Sequence, residues 1–206
     1  MSTARTEHWE SVYTTKGEQD VSWFQESPDI SLELIKLASR GAKASLIDIG
    51  GGASRLVDAL LDKGGFDISV LDLSSSALEA AKSRIGSRAA EIDWIVADIT
   101  EWHPSRRYDV WHDRAAFHFL TEPDDQAAYA VALSQALRPG GAAIIGTFAP
   151  DGPEKCSGLP VMRHDASSIG ALLGDGFSLE DSRRHDHATP WGSVQKFQFS
   201  AFRKRG

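Results

Sequence analysis

The feature that most constrains the fold is a run of three glycines, Gly50, Gly51 and Gly52, between two apolar segments of different periodicity. Residues 46–49 form a short, β-branched and largely apolar segment, which is typical of a buried parallel strand. Residues 56–61 carry apolar side chains at helical spacing. A glycine turn between a strand and a helix lets the backbone approach a ligand closely, because no Cβ atom intervenes. The sequence therefore predicts a ligand-binding strand–turn–helix unit here.

Two further strand-like segments end in an acidic residue. Residues 68–71 lead into Asp72, and residues 92–97 lead into Asp98. In dinucleotide-type folds, an acid about twenty residues past the glycine turn accepts hydrogen bonds from a ribose. A carboxylate suits this role because a ribose diol offers two donors to one bidentate acceptor. The alternative is that these acids are helix caps and turn formers.

The successive motifs resemble those of class I S-adenosylmethionine (SAM)-dependent methyltransferases. They read D-I-G-G-G-A-S, L-D-L-S, A-D-I, Y-D-V-W-H-D and L-R-P-G-G over residues 45–148. The first motif of the family, acid-x-Gly-x-Gly-x-Gly, stands here with Ser54 in place of the third glycine. The resemblance implies an α/β, Rossmann-like fold. It would have a seven-stranded, mostly parallel sheet with an antiparallel last strand and helices on both faces, and SAM as the cofactor.

The resemblance also implies which residues hold the cofactor. The residue at Asp98 would meet the exocyclic amine of adenine, and Ile99 would pack on the adenine ring. The full set expected to bind SAM is Asp48, Gly50, Gly51, Gly52, Asp72, Leu73, Asp98, Ile99 and Trp23.

Residues 1–40 precede the sheet and are expected to form a helical lid. Trp9, Tyr13 and Lys16 share one face of a predicted helix, and Trp23 lies in a dense aromatic cluster. Aromatic faces attract a sulfonium cation, which favours a lid over the cofactor. The alternative is a segment that only packs on the sheet.

The fourth strand-like segment, residues 108–111, leads into the stretch from which we expect catalysis. W-H-D-R-A-A-F resembles W-D-R-G-A-L of thiopurine-type (thiol) methyltransferases, with one residue inserted and Ala115 in place of glycine. It also resembles D-K-G-T of lysine methyltransferases that act on translation elongation factors. These two relatives differ in substrate, so the motif indicates the place of the site better than the acceptor.

Methyl transfer requires alignment and, for some acceptors, a base. Asp113 is the leading candidate to orient or deprotonate the acceptor; alternatively it is structural, paired with Arg114 or capping the next helix. His112 and His118 are alternative bases, since imidazole titrates near neutral pH, or they are packing residues. Arg114 would hold an anionic acceptor, or form a surface ion pair.

The composition limits the number of domains and the kinds of binding partner that we expect. With 206 residues, one cysteine and a formal net charge of −7, we expect a single cytoplasmic domain (1–206) that binds neither nucleic acid nor membrane. No apolar run approaches the ~20 residues that span a bilayer. Residues 183–192 are expected to form the hairpin connection before the last strand. Within it, His185 and His187 stand at alternate positions and could face the same way, as on a strand, but they lack a third ligand, so no metal is expected. Cys156 has no neighbour that would activate it.

The sequence as a whole predicts a SAM-dependent methyltransferase acting on a small-molecule nucleophile, by resemblance a thiol or related soft nucleophile. The alternatives are a protein-lysine methyltransferase, a nicotinamide-dependent oxidoreductase and a catalytically silent SAM-binding module. Ser54 and the absence of a Tyr-x-x-x-Lys pair weigh against the oxidoreductase.

Overall fold

Parallel pairing of the strands predicted around the glycine turn builds the centre of the fold. The computed structural model describes residues 3–40 and 43–206. Its strands are β1 (Ala44–Ile49), β2 (Phe66–Asp72), β3 (Asp93–Val96), β4 (Tyr108–Arg114), β5 (Leu137–Phe148), β6 (Lys155–Cys156), β7 (Leu159–Pro160), β8 (Phe177–Ala188) and β9 (Val194–Lys204).

Seven of these strands form one sheet in the order β3-β2-β1-β4-β5-β9-β8. The β1 strand pairs in parallel with β2 and β4, and β5 continues the parallel pairing on β4. The last strand, β9, runs antiparallel between β5 and β8. The predicted Rossmann-like sheet with an antiparallel last strand is therefore confirmed.

The helices are α1 (Thr3–Thr15), α2 (Asp29–Ala38), α3 (Leu56–Lys63), α4 (Ser75–Ile85), α5 (Pro123–Ala136) and α6 (Ala166–Leu173). Alternate strand residues face opposite layers. Leu46 packs with the α2 and α3 side chains Leu34 and Leu56, whereas Ile47 packs in the cluster of Tyr129 and Ile169 from α5 and α6. Because helices cover both faces, every residue of β1 is buried.

Two strands are longer than their sequence patterns indicate. The β4 strand continues to Arg114 instead of ending at Trp111, because β5 pairs with it as far as the Arg114–Gly146 register. The β8 strand includes residues 183–188, which we expected in the connection to the last strand; β9 pairs with them and supplies their ladder. Residues 21–24 form turns and not a helix.

The described part of the chain contains no helix with both the length and the apolarity needed to cross a bilayer.

Candidate active site

The glycine turn after β1 adopts a backbone conformation that would be strained for residues other than glycine. Gly50 and Gly52 have φ values of +62° and +42°, in the left-handed region that glycine adopts most easily. A Cβ atom on Gly51 would lie 2.7 Å from both Asp48 Oδ2 and Val70 Cγ1. The turn is therefore packed tightly against β1 and β2.

A cavity lies next to this turn, at the carboxyl ends of β1, β2 and β4. It encloses about 740 Å³ of space not occupied by protein atoms, part of it open to solvent, which is within the roughly 300–1,000 Å³ usual for small-molecule sites. Six of the residues predicted to bind the cofactor line it: Trp23, Gly50, Asp72, Leu73, Asp98 and Ile99.

The two acids of this cavity are buried and held by local turns. Asp72 accepts a 2.8 Å hydrogen bond from the Ser74 amide at Oδ1, and Asp98 accepts 3.0 and 2.7 Å bonds from the amide and hydroxyl of Thr100. Burial raises the pKa of Asp72 to about 7, and the charges of Asp48 and Glu10 act in the same direction. Asp72 is thus a carboxyl group whose ionised form lacks its usual solvation.

A second cavity of about 780 Å³, also partly open, adjoins the first. Asp48 and Gly51 line it, together with His112. Both cavities share Tyr13, Trp23, Gly50 and Arg114 as lining residues. Gly52 lines neither cavity, but a Cβ atom placed on it would lie 2.9 Å from Asp72 Oδ2 and 3.0 Å from the Tyr13 hydroxyl.

Helix α1 borders the first cavity and is held to the rest of the domain by its residues Arg5, Trp9 and Glu10. Its Trp9 ring lies 4.9 Å from the ring of Phe119 and 5.7 Å from that of Trp23. Glu10 accepts a 2.6 Å bond from the Ser75 amide at the start of α4, and Arg5 forms a 2.9 Å ion pair with Asp125. Arg5, Trp9 and Tyr13 of α1 thus line the cavity; Met1 and Ser2, which belong to the expected lid, lie outside the described residues.

His112 joins three elements through both of its ring nitrogens. Nδ1 lies 2.6 Å from Asp48 Oδ1 on β1, and Nε2 lies 2.9 Å from Ser31 Oγ on α2. The ring is buried and borders the second cavity. His112 can act as a base toward a ligand only if one of these two bonds is exchanged.

Asp113, the leading candidate to orient or deprotonate the acceptor, points into the core and not into either cavity. Because β4 continues through Arg114, strand alternation turns Asp113 toward α5. There the buried carboxylate accepts bonds from Tyr129 Oη (2.8 Å), the Ala116 amide (3.0 Å) and the Phe117 amide (3.1 Å). Burial raises its pKa to about 6. Asp113 lines neither cavity, and its bonds cap the turn that follows β4.

His118 also lies away from both cavities, contrary to its expected role as a base. It is buried in the 3₁₀ turn Phe117–Phe119, where Nδ1 accepts a 3.3 Å bond from the Phe148 amide. Burial lowers its pKa to about 3, so the ring is neutral near pH 7.

Arg114 is the member of this stretch that reaches both cavities. Its Nη1 donates a 2.9 Å bond to the Trp23 carbonyl, and its Nε and Nη2 are inaccessible to solvent and without a partner among the described residues. The expected surface ion pair is absent from the part of the chain that the structure describes.

Among residues 3–40 and 43–206, no group of three His, Cys, Asp or Glu side chains is arranged to hold a metal ion. His187 is buried, and its Nε2 donates to the Ser22 carbonyl at 2.8 Å. Burial raises the pKa of the Cys156 thiol to about 11, which keeps the thiol protonated.

Several lining residues were not predicted as site residues. Arg5, Trp9, Tyr13 and Ser31 come from α1 and α2. The shared helical face of Trp9 and Tyr13 was the available signal for two of them; nothing local marks Ser31 or Arg5.

A parallel sheet with a glycine turn after its first strand, and buried acids at the ends of the next two strands, defines a nucleoside-binding α/β domain. Comparison with known families makes this more specific. Residues 46–141 match the family model described as a methyltransferase domain. Over these residues the chain therefore matches a methyltransferase domain, in agreement with its resemblance to class I SAM-dependent methyltransferases.

Individual relatives are more distant. Over 108 residues the chain is 28% identical to malonyl-[acyl-carrier protein] O-methyltransferase 2 of Ilyobacter polytropus. The aligned region covers 52% of this chain and 40% of the relative. The chain thus spans about two fifths of the length of that curated relative.

Two solved structures share the fold over nearly the whole chain. One is 1,6-didemethyltoxoflavin-N1-methyltransferase of Burkholderia thailandensis with bound 1,6-didemethyltoxoflavin and S-adenosylhomocysteine (TM-score 0.70, 20% identity, 98% of this chain and 89% of that one). The other is a protein whose structure is described in connection with the conversion of a disulfide bond into a thioacetal group during echinomycin biosynthesis (TM-score 0.75, 22% identity, 97% of this chain and 93% of that one).

Proposed function

We propose that this chain is a SAM-dependent methyltransferase that transfers a methyl group to a small-molecule nucleophile. The observation that carries the proposal is the convergence of Gly50, Asp72 and Asp98 on one cavity, since these residues lie at the carboxyl ends of three different strands. We further propose that residues 1–206 form one domain, with the N-terminal segment as its lid.

The residues around the cavity fit the cofactor. Asp72 is a buried carboxyl group with a raised pKa, and two ribose hydroxyls would give its ionised form the donors that it lacks. Asp98 would accept from the adenine amine, and Leu73 and Ile99 would cover the ring. SAM itself supplies a methyl group already activated on a sulfonium. The aromatic faces of Trp9 and Trp23 would stabilise that cation and exclude water.

A small acceptor is favoured because the side chains of α1 cover part of the site. A polypeptide acceptor would require an open groove along residues 111–120. Phe117, His118 and Leu120 are buried there, and Phe119 packs against Trp9 of the lid.

A thiol is the acceptor that we favour. Asp113 and His118 are buried away from the cavities, and both nitrogens of His112 are bonded, so no base is held ready for an acceptor of high pKa. A thiol, with an ordinary pKa of about 8.5, ionises with less help than an amine or alcohol. The similar proteins are an O-methyltransferase, an N1-methyltransferase and a protein of thioacetal formation, which is consistent with one fold supporting several acceptors.

Two experiments test the proposal. Calorimetry should detect binding of SAM and S-adenosylhomocysteine and no comparable binding of NAD; a preference for NAD would refute it. Incubation with radiolabelled SAM should then label low-molecular-weight metabolites, thiols foremost. Label confined to whole-cell protein would favour the protein-lysine methyltransferase, and binding without any transfer would favour the silent module.

A further inference from the structure

Arg114 places a cation at the junction of the two cavities. It borders both of them, together with Gly50 and Trp23. Its Nε and Nη2 are inaccessible to solvent and have no hydrogen-bond partner among the described residues. Burial lowers the pKa of this guanidinium to about 10, which leaves it charged near pH 7. An unpaired buried charge is strongly unfavourable, so this position calls for an anion.

The neighbouring groups do not supply that anion. Asp48 is the carboxylate whose charge acts on Arg114, but it is bonded to His112. Burial keeps the Cys156 thiol protonated by raising its pKa. Burial and the charge of Arg114 both lower the pKa of His118 and of His187, so both rings are neutral near pH 7 and neither balances the charge of Arg114. No carboxylate within residues 3–40 and 43–206 forms an ion pair with Arg114.

The direction of the side chain indicates which molecule would bring the anion. The groups that we assign to the cofactor follow β1, β2 and β3, on one side of β4 in the sheet. The guanidinium carbon of Arg114 lies 4.9 Å from the ring centroid of Phe197, which belongs to β9 on the other side of β4, beyond β5. Arg114 therefore leans away from the nucleoside end of the site, toward the half that remains for the acceptor.

We propose that Arg114 binds a carboxylate group of the methyl acceptor, so that the substrate is a carboxylate-bearing small molecule anchored at the junction of the two cavities. A guanidinium offers paired N–H donors that match a carboxylate. The exposed cation Lys16, which lines the second cavity, would favour approach of an anion. This inference rests on the proposed function, because it assumes that the other half of the site holds SAM.

Benzoate and its neutral analogue benzamide serve as probes, since they differ only in the charged group and suit an aromatic cavity. Each is titrated into protein saturated with S-adenosylhomocysteine, with tryptophan fluorescence as the signal because Trp9 and Trp23 line the first cavity. We expect the full chain to bind benzoate at least about tenfold more tightly than benzamide, as a charge-assisted pair requires. In Arg114→Met, the dissociation constants of benzoate and benzamide should differ by no more than about twofold.

Two further variants separate the role of the charge from a structural role. Arg114→Lys keeps the cation and should retain a preference for benzoate. Arg106→Met is the matched control: Arg106 also lies over an aromatic ring, 5.0 Å from the Tyr108 centroid, but at the opposite end of β4, and its loss should leave the ratio unchanged. Without ligand, Arg114→Met should unfold at the same temperature as the unmodified protein or higher, because an unpaired charge has been removed.

The methionine part of SAM also carries a carboxylate, and a separate arm distinguishes it. S-adenosylhomocysteine and 5′-methylthioadenosine, which lacks that carboxylate, are compared in calorimetry. If Arg114→Met weakens the binding of S-adenosylhomocysteine but not that of 5′-methylthioadenosine, Arg114 holds the carboxylate of the cofactor and the inference is overturned. Equal binding of benzoate and benzamide to the unmodified protein, or a preference that survives Arg114→Met, would overturn it as well. Failure of the unmodified protein to bind either nucleoside would refute the proposed function instead.

Discussion

Replacing Asp72 with asparagine should make the ligand-free protein more stable and its cofactor binding weaker. The pKa of Asp72 is raised from 3.8 to about 7 by burial. Each pKa unit corresponds to about 1.4 kcal/mol, so keeping this carboxyl ionised in the folded state at pH 8 costs about 4 kcal/mol. Because the folded pKa lies above the unfolded value, wild-type stability falls as pH rises between about 4 and 7.

The neutral amide of Asp72→Asn avoids that cost. We expect the variant to gain up to about 4 kcal/mol at pH 8, a rise in melting temperature of roughly 8–16 °C for a chain of this size, and to gain almost nothing at pH 4. Loss of the ionised acceptor for ribose should weaken the binding of S-adenosylhomocysteine by roughly 10- to 150-fold. This corresponds to the loss of about 1.5–3 kcal/mol of charge-assisted hydrogen bonding.

Thermal unfolding at pH 4 and pH 8, with calorimetry at pH 8, measures both effects. Asp67→Asn is the control, since Asp67 lies on the same strand but is exposed and paired with Arg106; it should change stability by less than about 1 kcal/mol and leave binding unaltered. A variant of Asp72 that is less stable than wild type at pH 8, or that binds S-adenosylhomocysteine unchanged, would refute the reasoning.

Three other outcomes are expected. The affinity of the wild type for S-adenosylhomocysteine should rise as the pH rises to 7. Below pH 7 the increase should approach tenfold per pH unit, and calorimetry should detect release of a proton on binding. An affinity independent of pH would show that ionised Asp72 does not bind the ligand. Asp113→Ala should lower stability by roughly 2–4 kcal/mol by leaving its buried donors unpaired, yet retain cofactor affinity at low temperature; normal stability with abolished turnover would restore a catalytic role. Gly51→Ala should destabilise by about 1–3 kcal/mol through overpacking, whereas Gly176→Ala, with nothing within 4 Å, should change stability by less than about 0.5 kcal/mol in denaturant unfolding.

The fold was predictable because its signals are local. A glycine turn between a β-branched segment and a helical one requires only the residues that form it. The same holds for Ser74, which accepts from the Ala77 amide at 3.1 Å as the N-cap of α4. Asp72 and Asp98 end up on one cavity because parallel strands bring their carboxyl ends to the same edge of a sheet.

The orientation of the residues that we expected to be catalytic was less predictable, because it depends on pairing between distant segments. Residues 112–114 follow one another in sequence, and nothing local shows that β5 extends β4 far enough to make them a strand. Once that pairing exists, alternation sends Asp113 to Tyr129 in the core and Arg114 to the cavities.

The amino-acid sequence by itself therefore determined the nucleoside half of the site, since glycine geometry and strand ends are properties of short segments. Only the tertiary structure decided the other half. The lid residue Tyr13 reaches the glycine turn from a separate element, and the partners and burial of Arg114 depend on Trp23 and Phe197, which long-range packing alone brings to it.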